Sequence, residues 1–293
     1  MDIRQLRYFV TVVQEKNYSK AASILHISQP SLSNAIRKLE TAVGFQLLER
    51  NTRRLALTDS GRIFYKRSLQ LIRNFDNMLK DLDAIKQHGT GKITIGMIES
   101  TKFWLPKAVN KFKKSFSNIQ FQLIEILGKE TVYKSLMQYD VHFTITNQPI
   151  DKKEIHLIPL YDENLILLTH KDDILNQKER ITLHDLKGRD FIISKVGLRT
   201  REDILKAFEE EKIIPQIMYE IERFETAYSF VEQGLGVTIL PESYIKYTPN
   251  PNITMHMIES EHLKRTVYLA YLKDRYLSPA VCDLLEEIKG FFK

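Results

Sequence analysis

The chain of 293 residues carries 43 Lys plus Arg against 37 Asp plus Glu and has a mean hydropathy of −0.28. With 43% hydrophobic residues it is long enough for two or more domains and a sizeable core, as expected of a soluble globular protein. It has no apolar run of about 18 residues and no apolar signal region at its N-terminus, which argues against a membrane-spanning or secreted chain and predicts a cytoplasmic protein.

The positive charge is concentrated in residues 1–90, which hold 15 Lys plus Arg against 8 Asp plus Glu. The remaining residues are almost balanced, with 28 against 29. Such a distribution favours phosphate contacts and salt-sensitive binding. A basic membrane-binding helix is the alternative, but no segment combines a large apolar face with a lysine-rich one.

Residues 19–44 are predicted to form two helices separated by a turn. Ala21 and Ala22 are small enough to let the first helix lie close to the second. Ser28 can act as N-cap and Pro30 fits a first helical turn, so the second helix begins there. Apolar residues recur along it at three- and four-residue spacing: Leu32, Ile36, Leu39 and Val43. Its other faces are polar, with Gln29, Ser31, Ser33, Asn34, Arg37 and Lys38.

This polar face suits the major groove of DNA. A helix fits that groove, Gln and Asn amides pair with adenine edges, and Ser hydroxyls bond either donors or acceptors. The alternative is an ordinary pair of amphipathic helices with a solvated face, which spacing alone does not exclude.

A longer set of motifs runs through the first 61 residues. It comprises residues 1–9 (MDIRQLRYF), Ala21-Ala22, residues 28–33 (SQPSLS), Ile36, Leu39-Glu40, Gly44, residues 47–50 (LLER) and residues 57–61 (LTDSG). Together these motifs resemble the N-terminal pattern of the LysR-type transcriptional regulators. The resemblance implies a winged helix-turn-helix domain over residues 1–58. The sequence departs from the family pattern at Asn34, often Arg in relatives, and at Leu48, usually Phe.

The resemblance also implies which residues contact DNA. It places five residues at or near bases: Gln29, Pro30, Ser31, Ser33 and Asn34. Arg37 would lie along phosphate, and Arg53, which neighbours Arg54 in the wing, would reach the minor groove. We expect all eight to belong to the DNA-binding surface.

Residues 59–89 are predicted to form one long helix that begins near a possible N-cap, Thr58, and ends before His88. Apolar positions along it alternate at spacings of four and three: Phe64, Ser68, Leu71, Phe75, Met78, Leu82 and Ile85. This is the a/d pattern of a coiled coil and indicates a second helix as partner. Packing against the protein's own C-terminal domain is the alternative. The family resemblance implies a homodimer, or a dimer of dimers, that engages the two half-sites of an inverted-repeat operator.

Residues 90–293 change to short β-rich runs alternating with amphipathic helices. The predicted strands are 92–98, 120–126, 142–146, 164–170, 190–194, 217–221 and 237–240. The predicted helices are 103–116, 132–138, 200–211 and 226–234. This order predicts a parallel α/β sheet with helices on its faces, in a chain that is α+β and multi-domain overall.

Several motifs of this region match a second pattern: Ile95-Gly96, Leu105-Pro106, Asn164 to Leu167, Ile181 to Leu186 and Gly234 to Pro241. They are similar to the LysR-type effector domain, which has the two-lobed architecture of periplasmic solute-binding proteins. The resemblance implies lobe I over about 90–161 and 266–293, and lobe II over about 162–265. His142 departs from this pattern, since Asp is common there.

An effector site is expected where strand ends and helix N-termini face the cleft between the lobes. Ser100 and Thr101 follow the first strand and precede a helix, so amides and hydroxyls could hold a small anion, although simple helix capping explains them too. The other candidates, for which a purely structural role is the alternative, are Thr131, Thr146, Lys195, Arg199 and Phe224. A small carboxylate or an amino acid is the expected effector.

Catalytic, metal and cofactor sites are not expected. Residues 234–236 (GLG) lack the third glycine of a dinucleotide loop and precede a strand. Four histidines recur every fourteen residues without the paired spacing of a metal site: His142, His156, His170 and His184. Cys282 is interpreted as a buried small hydrophobe near the end of a helix. Met255 and Met257 alternate as in a strand and are predicted to lie in the core.

Three functional classes remain open on sequence. The first is a transcription factor whose effector changes the relation of two lobes and thereby the spacing of paired DNA-binding domains, with RNA polymerase as a possible further partner. The second is a constitutive architectural DNA-binding protein whose C-terminal domain serves assembly. The third is a solute-binding module or enzyme with an incidental basic arm.

Overall fold

The structure is a computed structural model that describes residues 1–49, 55–86, 91–247 and 249–292. The chain divides into two compact units, Met1–Lys86 and Gln87–Lys293. Within the described ranges, no helix combines the length and the apolar composition needed to cross a bilayer.

The first unit contains four helices in its described part: α1 (Ile3–Glu15), α2 (Tyr18–Ile24), α3 (Gln29–Val43) and α4 (Asp59–Lys86). Side chains cap the short helices, as Asn17 does by accepting the Lys20 N–H at 3.0 Å. Ser28 likewise accepts the Ser31 N–H, at 3.3 Å. At the other end of α3, Gly44 adopts φ 83°, a left-handed conformation that favours glycine. The predicted helix-turn-helix is confirmed.

The segment after α3 is fixed by a buried carboxylate. Glu40 lies at the end of α3, and its Oε1 accepts the backbone N–H groups of Leu47 and Leu48 at 2.8 and 3.2 Å. Leu48 then forms an antiparallel bridge with Leu57. Leu48 is 5% exposed, so it occupies a core position.

The predicted stripe of helix α4 is packed in the core near its start and exposed further along. The Thr58 Oγ1 accepts the Gly61 N–H at 2.9 Å, which confirms this residue as N-cap. Near this end, Phe64 packs against Phe9 with ring centroids 5.4 Å apart, and Ser68 is buried. Later positions of the predicted stripe are about half exposed: Leu71, Met78, Leu82 and Ile85. The apolar stripe therefore serves the unit's own core first and is exposed further along. Its predicted end, 87–89, lies outside the described residues.

The second unit contains nine strands and six helices among its described residues. The strands are β1 (Gly91–Met97), β2 (Ile119–Glu125), β3 (Phe143–Thr146), β4 (Ile155–His170), β5 (Asp190–Ser194), β6 (Gln216–Ile221), β7 (Val237–Pro241), β8 (Ile253–His256) and β9 (Lys264–Leu272). The helices are α5 (Leu105–Lys113), α6 (Lys129–Met137), α7 (Arg199–Glu210), α8 (Phe224–Glu232), α9 (Glu242–Lys246) and α10 (Pro279–Gly290).

These strands form two lobes joined by two long strands. In the order β2-β1-β3-β9-β4-β7-β5-β6, the strand pairs β1-β2, β1-β3, β5-β6 and β5-β7 are parallel. Strand β4 runs antiparallel to β9 over Ile155 to Asn164, then pairs with β7 and β8 from Leu165 onward. We call the β1-β2-β3 side lobe I and the β5-β6-β7 side lobe II. The mixed α/β fold is confirmed, and the predicted parallel pairing is found within each lobe. It does not extend to β4 and β9, which are antiparallel to their neighbours.

Each lobe has its own apolar core. Phe143, Leu269 and Leu284 are fully buried in lobe I, and Phe191 and Phe208 are fully buried in lobe II.

Three residues that the sequence predicts to be buried are exposed. Cys282 lies in the first turn of α10, and it is exposed rather than buried. Met255 lies in β8 and Met257 follows that strand, and they are 52% and 60% exposed. Alternation identifies a face and does not show which way the face points.

Candidate DNA-binding surface and interlobe cleft

The polar face of α3 is exposed at every described position that the sequence assigns to DNA: Gln29, Pro30, Ser31, Ser33, Asn34 and Arg37. The buried stripe of the same helix, including Leu32, Ile36 and Leu39, packs into the core of the unit. The two wing candidates, Arg53 and Arg54, lie outside the described residues.

Local hydrogen bonds orient part of this face. The Ser28 and Ser31 hydroxyls are 2.7 Å apart, and Arg37 Nη2 donates to Asn34 Oδ1 at 3.0 Å. The second bond uses one acceptor of the amide and one donor of the guanidinium, and each side chain keeps further donors for a partner. The face thus combines positioned amide, hydroxyl and guanidinium groups.

A cleft lies between the lobes of the second unit. Its lobe I wall includes the 3₁₀ turn after β1 and the segment after β3. Its lobe II wall is formed by the starts of α7 and α8. Its lining residues are Ile98, Glu99, Ser100, Leu127, Asn147, Leu198, Arg199, Thr200, Glu222, Phe224 and Arg265. The cavity measures about 20 Å³, which is room for little more than one water molecule.

The cleft brings together three of the seven predicted effector residues, Ser100, Arg199 and Phe224. Thr101 and Thr146 are fully buried and do not line it. The Thr101 hydroxyl donates to the Ile98 carbonyl at 2.7 Å, and Thr146 Oγ1 accepts the Gln148 N–H at 3.1 Å.

The two remaining candidates lie outside the lining. Thr131 is exposed in the first turn of α6. Lys195 is also exposed and forms an ion pair with Glu222, which does line the cleft.

An ion pair that is almost fully buried stands beside the cleft. Arg265, on β9, donates from Nη2 and Nε to Glu163 Oε2, on β4, at 2.7 and 3.0 Å. Arg265 Nη1 also donates to Thr200 Oγ1 at 2.7 Å, and the Ser243 hydroxyl donates to Glu163 Oε1 at 2.7 Å. The pair therefore fastens the starts of α7 and α9 to the two joining strands.

A second ion pair orients Arg199 in the first turn of α7. Its Nε lies 2.7 Å from Asp203 Oδ1, one turn further along. Burial raises the pKa of the Asp203 carboxyl, and the Arg199 guanidinium opposes that rise. Arg199 is thereby held where its side chain reaches the cleft.

Two contacts cross from lobe I to the N-terminus of α8. Glu99 Oε2 accepts the Phe224 N–H at 3.1 Å, and Glu125 forms an ion pair with Arg223. A carboxylate is a favourable partner for unpaired N–H groups at the start of a helix. These contacts hold the lobes together on the α8 side of the cleft.

Sequence reasoning missed the roles of Glu163, Thr200 and Arg265. A signal was present, since a charged residue at an inward position of an otherwise apolar strand indicates a buried partner. Arg265 occupies such a position in KRTVYLAYL, where it is 7% exposed. No group of three His, Cys, Asp or Glu side chains in the described ranges is arranged to hold a metal ion.

Comparison with known proteins agrees with this architecture. A family model described as "LysR substrate binding domain" matches residues 86–293, and one described as "Bacterial regulatory helix-turn-helix protein, lysR family" matches residues 3–62. The chain belongs to the LysR family of transcriptional regulators. As a member of this family it is a DNA-binding transcriptional regulator with an effector-binding domain, and the family is one of regulators rather than enzymes.

Several relatives cover nearly the whole chain. The Hca operon transcriptional activator HcaR of Escherichia coli (strain K12) is 32% identical over 288 residues, covering 97% of this chain and 96% of the relative. The transcriptional regulator YybE of Bacillus subtilis (strain 168) is 30% identical over 280 residues, covering 95% of each.

Solved structures show the same fold. Full-length CbnR complexed with its target DNA matches with a TM-score of 0.70 and 21% identity, covering 99% of this chain and all (100%) of that one. Full-length BenM matches with a TM-score of 0.60 and 27% identity, covering 100% of this chain and 97% of that one.

The buried pair predicts a large stability effect. Glu163→Gln leaves the Arg265 charge buried without its counter-ion, so we expect the second unit to lose about 3 to 5 kcal/mol of unfolding free energy. Trp104, the one tryptophan of the chain, lies in that unit, so fluorescence during urea unfolding reports the change. Glu259→Gln is the control, because its ion pair with Arg180 is exposed and should contribute at most about 1 kcal/mol. Equal losses in the two variants would contradict the assignment.

Proposed function

We propose that this regulator binds an inverted-repeat operator as a homodimer or a dimer of dimers, and that a small carboxylate or amino acid bound between the lobes modulates it. The observation that carries the proposal is the exposed polar face of α3, packed on its own domain only through the opposite stripe. In this proposal residues 1–58 bind DNA, residues 59–89 associate with a second copy, and residues 90–293 bind the effector. The cytoplasm, where operator DNA is found, is the proposed location.

The proposed DNA contacts follow from the chemistry of the α3 face. Gln29, Ser31, Ser33 and Asn34 carry the amides and hydroxyls that recognise base edges, whereas Arg37 is suited to phosphate. Arg53 and Arg54 remain proposed contacts through the family resemblance. The CbnR structure contains that protein bound to its target DNA, which supports the same use of the fold here.

The base-contacting residues of α3 and the proposed minor-groove residue Arg53 should differ in their effects. Gln29→Ala and Ser33→Ala should each lose about 1 to 3 kcal/mol of discrimination at particular base pairs. Arg53→Ala should instead weaken binding to operator and random duplex alike. Genomic mapping of binding sites supplies the operator, and fluorescence anisotropy with single-base variants measures each affinity. Equal losses on operator and random DNA from all three variants would contradict the division.

The proposed self-association uses the exposed part of α4. Four positions of the coiled-coil pattern lie on the exposed side of α4 and are each 46% to 51% exposed: Leu71, Met78, Leu82 and Ile85. Apolar residues repeated at this spacing are stabilised by burial against a second helix. A pair of such helices holds two DNA-binding domains at a fixed separation, as an inverted repeat requires.

Charges placed on this stripe should prevent association. We expect the double variant Leu71→Glu, Leu82→Glu to sediment as a monomer and to lose most of its operator affinity, because two carboxylates would be buried in the helix pair. Ile63→Glu is the matched control, since Ile63 is 68% exposed on the same helix but lies off the stripe. A wild-type protein that is monomeric at micromolar concentration would refute this part of the proposal.

Effector binding is proposed to act through the joining strands. β4 pairs with β9 along its first part and with β7 of lobe II further along, so a ligand that changes the lobe relation changes the geometry passed to the rest of the dimer. RNA polymerase is a further proposed partner of the DNA-bound regulator.

This coupling is testable without knowing the effector. DNase footprints of the full chain on its mapped operator should change in length or in hypersensitive positions with at least one member of a metabolite panel of carboxylates and amino acids. A constitutive architectural protein would instead give one footprint throughout, and that result would argue against the ligand-responsive function.

A further inference from the structure

The lobe I wall of the cleft carries a buried carboxylate with spare hydrogen-bonding capacity. Glu99 is 7% exposed and its Oε1 lies 3.4 Å from Lys102 Nζ, a long ion pair. That ammonium also lies 4.4 Å from the centre of the Tyr244 ring, so its interactions are shared. A carboxylate has about four acceptor positions, and the bonds from Lys102 and the Phe224 N–H use two of them. Glu99 can accept further bonds from a donor in the cleft.

A second acceptor on the same wall is unsatisfied. Asn147 lines the cleft and is 8% exposed, yet its Oδ1 has no hydrogen-bond partner among the described residues. Ser100 beside it is fully buried, and its hydroxyl interacts with the Tyr161 phenol without forming a hydrogen bond of ordinary geometry. Buried polar atoms are nearly always paired, and an unmade bond costs free energy. An ammonium group, with a positive charge and three donors, satisfies both Glu99 and Asn147.

The lobe II wall offers the complementary charge. Arg199 uses Nε on Asp203, while Nη1 is a more distant 3.8 Å from Glu202, so the guanidinium keeps donors for another anion. Arg265 differs, because Glu163 and Thr200 engage all three of its nitrogen atoms. Arg199 is therefore the group of the cleft suited to bind a carboxylate.

Apolar side chains complete the lining between these polar groups. They are Ile98, Leu127, Leu198 and Phe224, two from each lobe. A ligand that fills the cleft thus meets acceptors on one wall, a guanidinium on the other and apolar surface between them.

We propose that the effector is an α-amino acid with an apolar side chain. Its ammonium group binds Glu99 and Asn147, and its carboxylate binds Arg199. The inference rests on the proposed function, since it names the class of molecule that the same cleft binds. The cavity of about 20 Å³ is smaller than an amino acid, so the lobes separate to admit it and the bond from Phe224 N–H to Glu99 is broken or rearranged.

Matched ligands test the ammonium and the carboxylate separately. Calorimetric titration of the full chain would use L-leucine, isocaproate and isoamylamine, then L-phenylalanine, hydrocinnamate and phenethylamine. Within at least one set, the amino acid should bind about tenfold or more tighter than either fragment, because each fragment leaves one charged group of the cleft unpaired.

Variants identify the group that recognises the ammonium. Glu99→Gln keeps the shape and removes the charge, so amino-acid binding should weaken about ten- to hundredfold while binding of the deaminated acid stays unchanged. Glu125→Gln is the matched control, because it breaks the other contact between lobe I and the start of α8 but does not line the cleft. It should change the binding of amino acid and acid by the same factor. Asn147→Ala provides a second variant, and thermal unfolding verifies that each variant folds.

The outcomes separate this inference from the proposed function. Deaminated acids that bind as tightly as amino acids, or a Glu99→Gln variant with unchanged preference, would overturn the amino-acid assignment. So would a failure of all six probes to bind. The ligand-responsive function itself survives those results if another metabolite alters the footprint, and it fails only if none does.

Discussion

The architecture of the effector-binding unit depends on one buried ion pair that spans the two joining strands. Arg265 on β9 and Glu163 on β4 are charged residues in a sheet interior, and each is buried because the other is present. Their remaining hydrogen bonds reach Thr200 at the start of α7 and Ser243 in α9. A buried pair contributes little net stability over apolar residues of similar size, but its directional bonds accept only one arrangement of the groups around it. The starts of both helices are fixed in this way.

The same constraint determines what the cleft can bind. Because α7 is held by Thr200, the neighbouring Arg199 is held at the cleft wall, and Asp203 keeps its guanidinium oriented. On the opposite wall, Glu99 reaches the first N–H of α8. Charged groups on the two walls therefore make some of their bonds inside the protein and keep other donor and acceptor positions for a ligand. A ligand exchanges existing bonds for its own, so the two lobes and the ligand compete for the same donors and acceptors.

Local features of the sequence predicted local structure well. The N-cap Ser28, the first-turn Pro30 and the stripe through Leu32 define α3 to within a residue, since caps and periodicity act over a few neighbours. The direction in which a face points depends on distant packing, and there the predictions failed. Met255 is exposed although its alternation with Met257 predicts burial. Strand β4 begins at Ile155, whereas the sequence predicts a strand only from residue 164.

The candidate site shows the same difference between local and long-range features. Ser100 was found because a hydroxyl between a strand and a helix is a local pattern, whereas Glu99 gained its role only from an N–H that lies 125 residues away. This contact between distant residues also explains how a small molecule could act on the whole unit. A ligand shifts an equilibrium only by its difference in affinity for the two states, and each tenfold difference is worth about 1.4 kcal/mol. A cleft whose lobes are joined by a few bonds of about that strength can be opened by one ligand, whereas a cleft joined by a continuous apolar core could not.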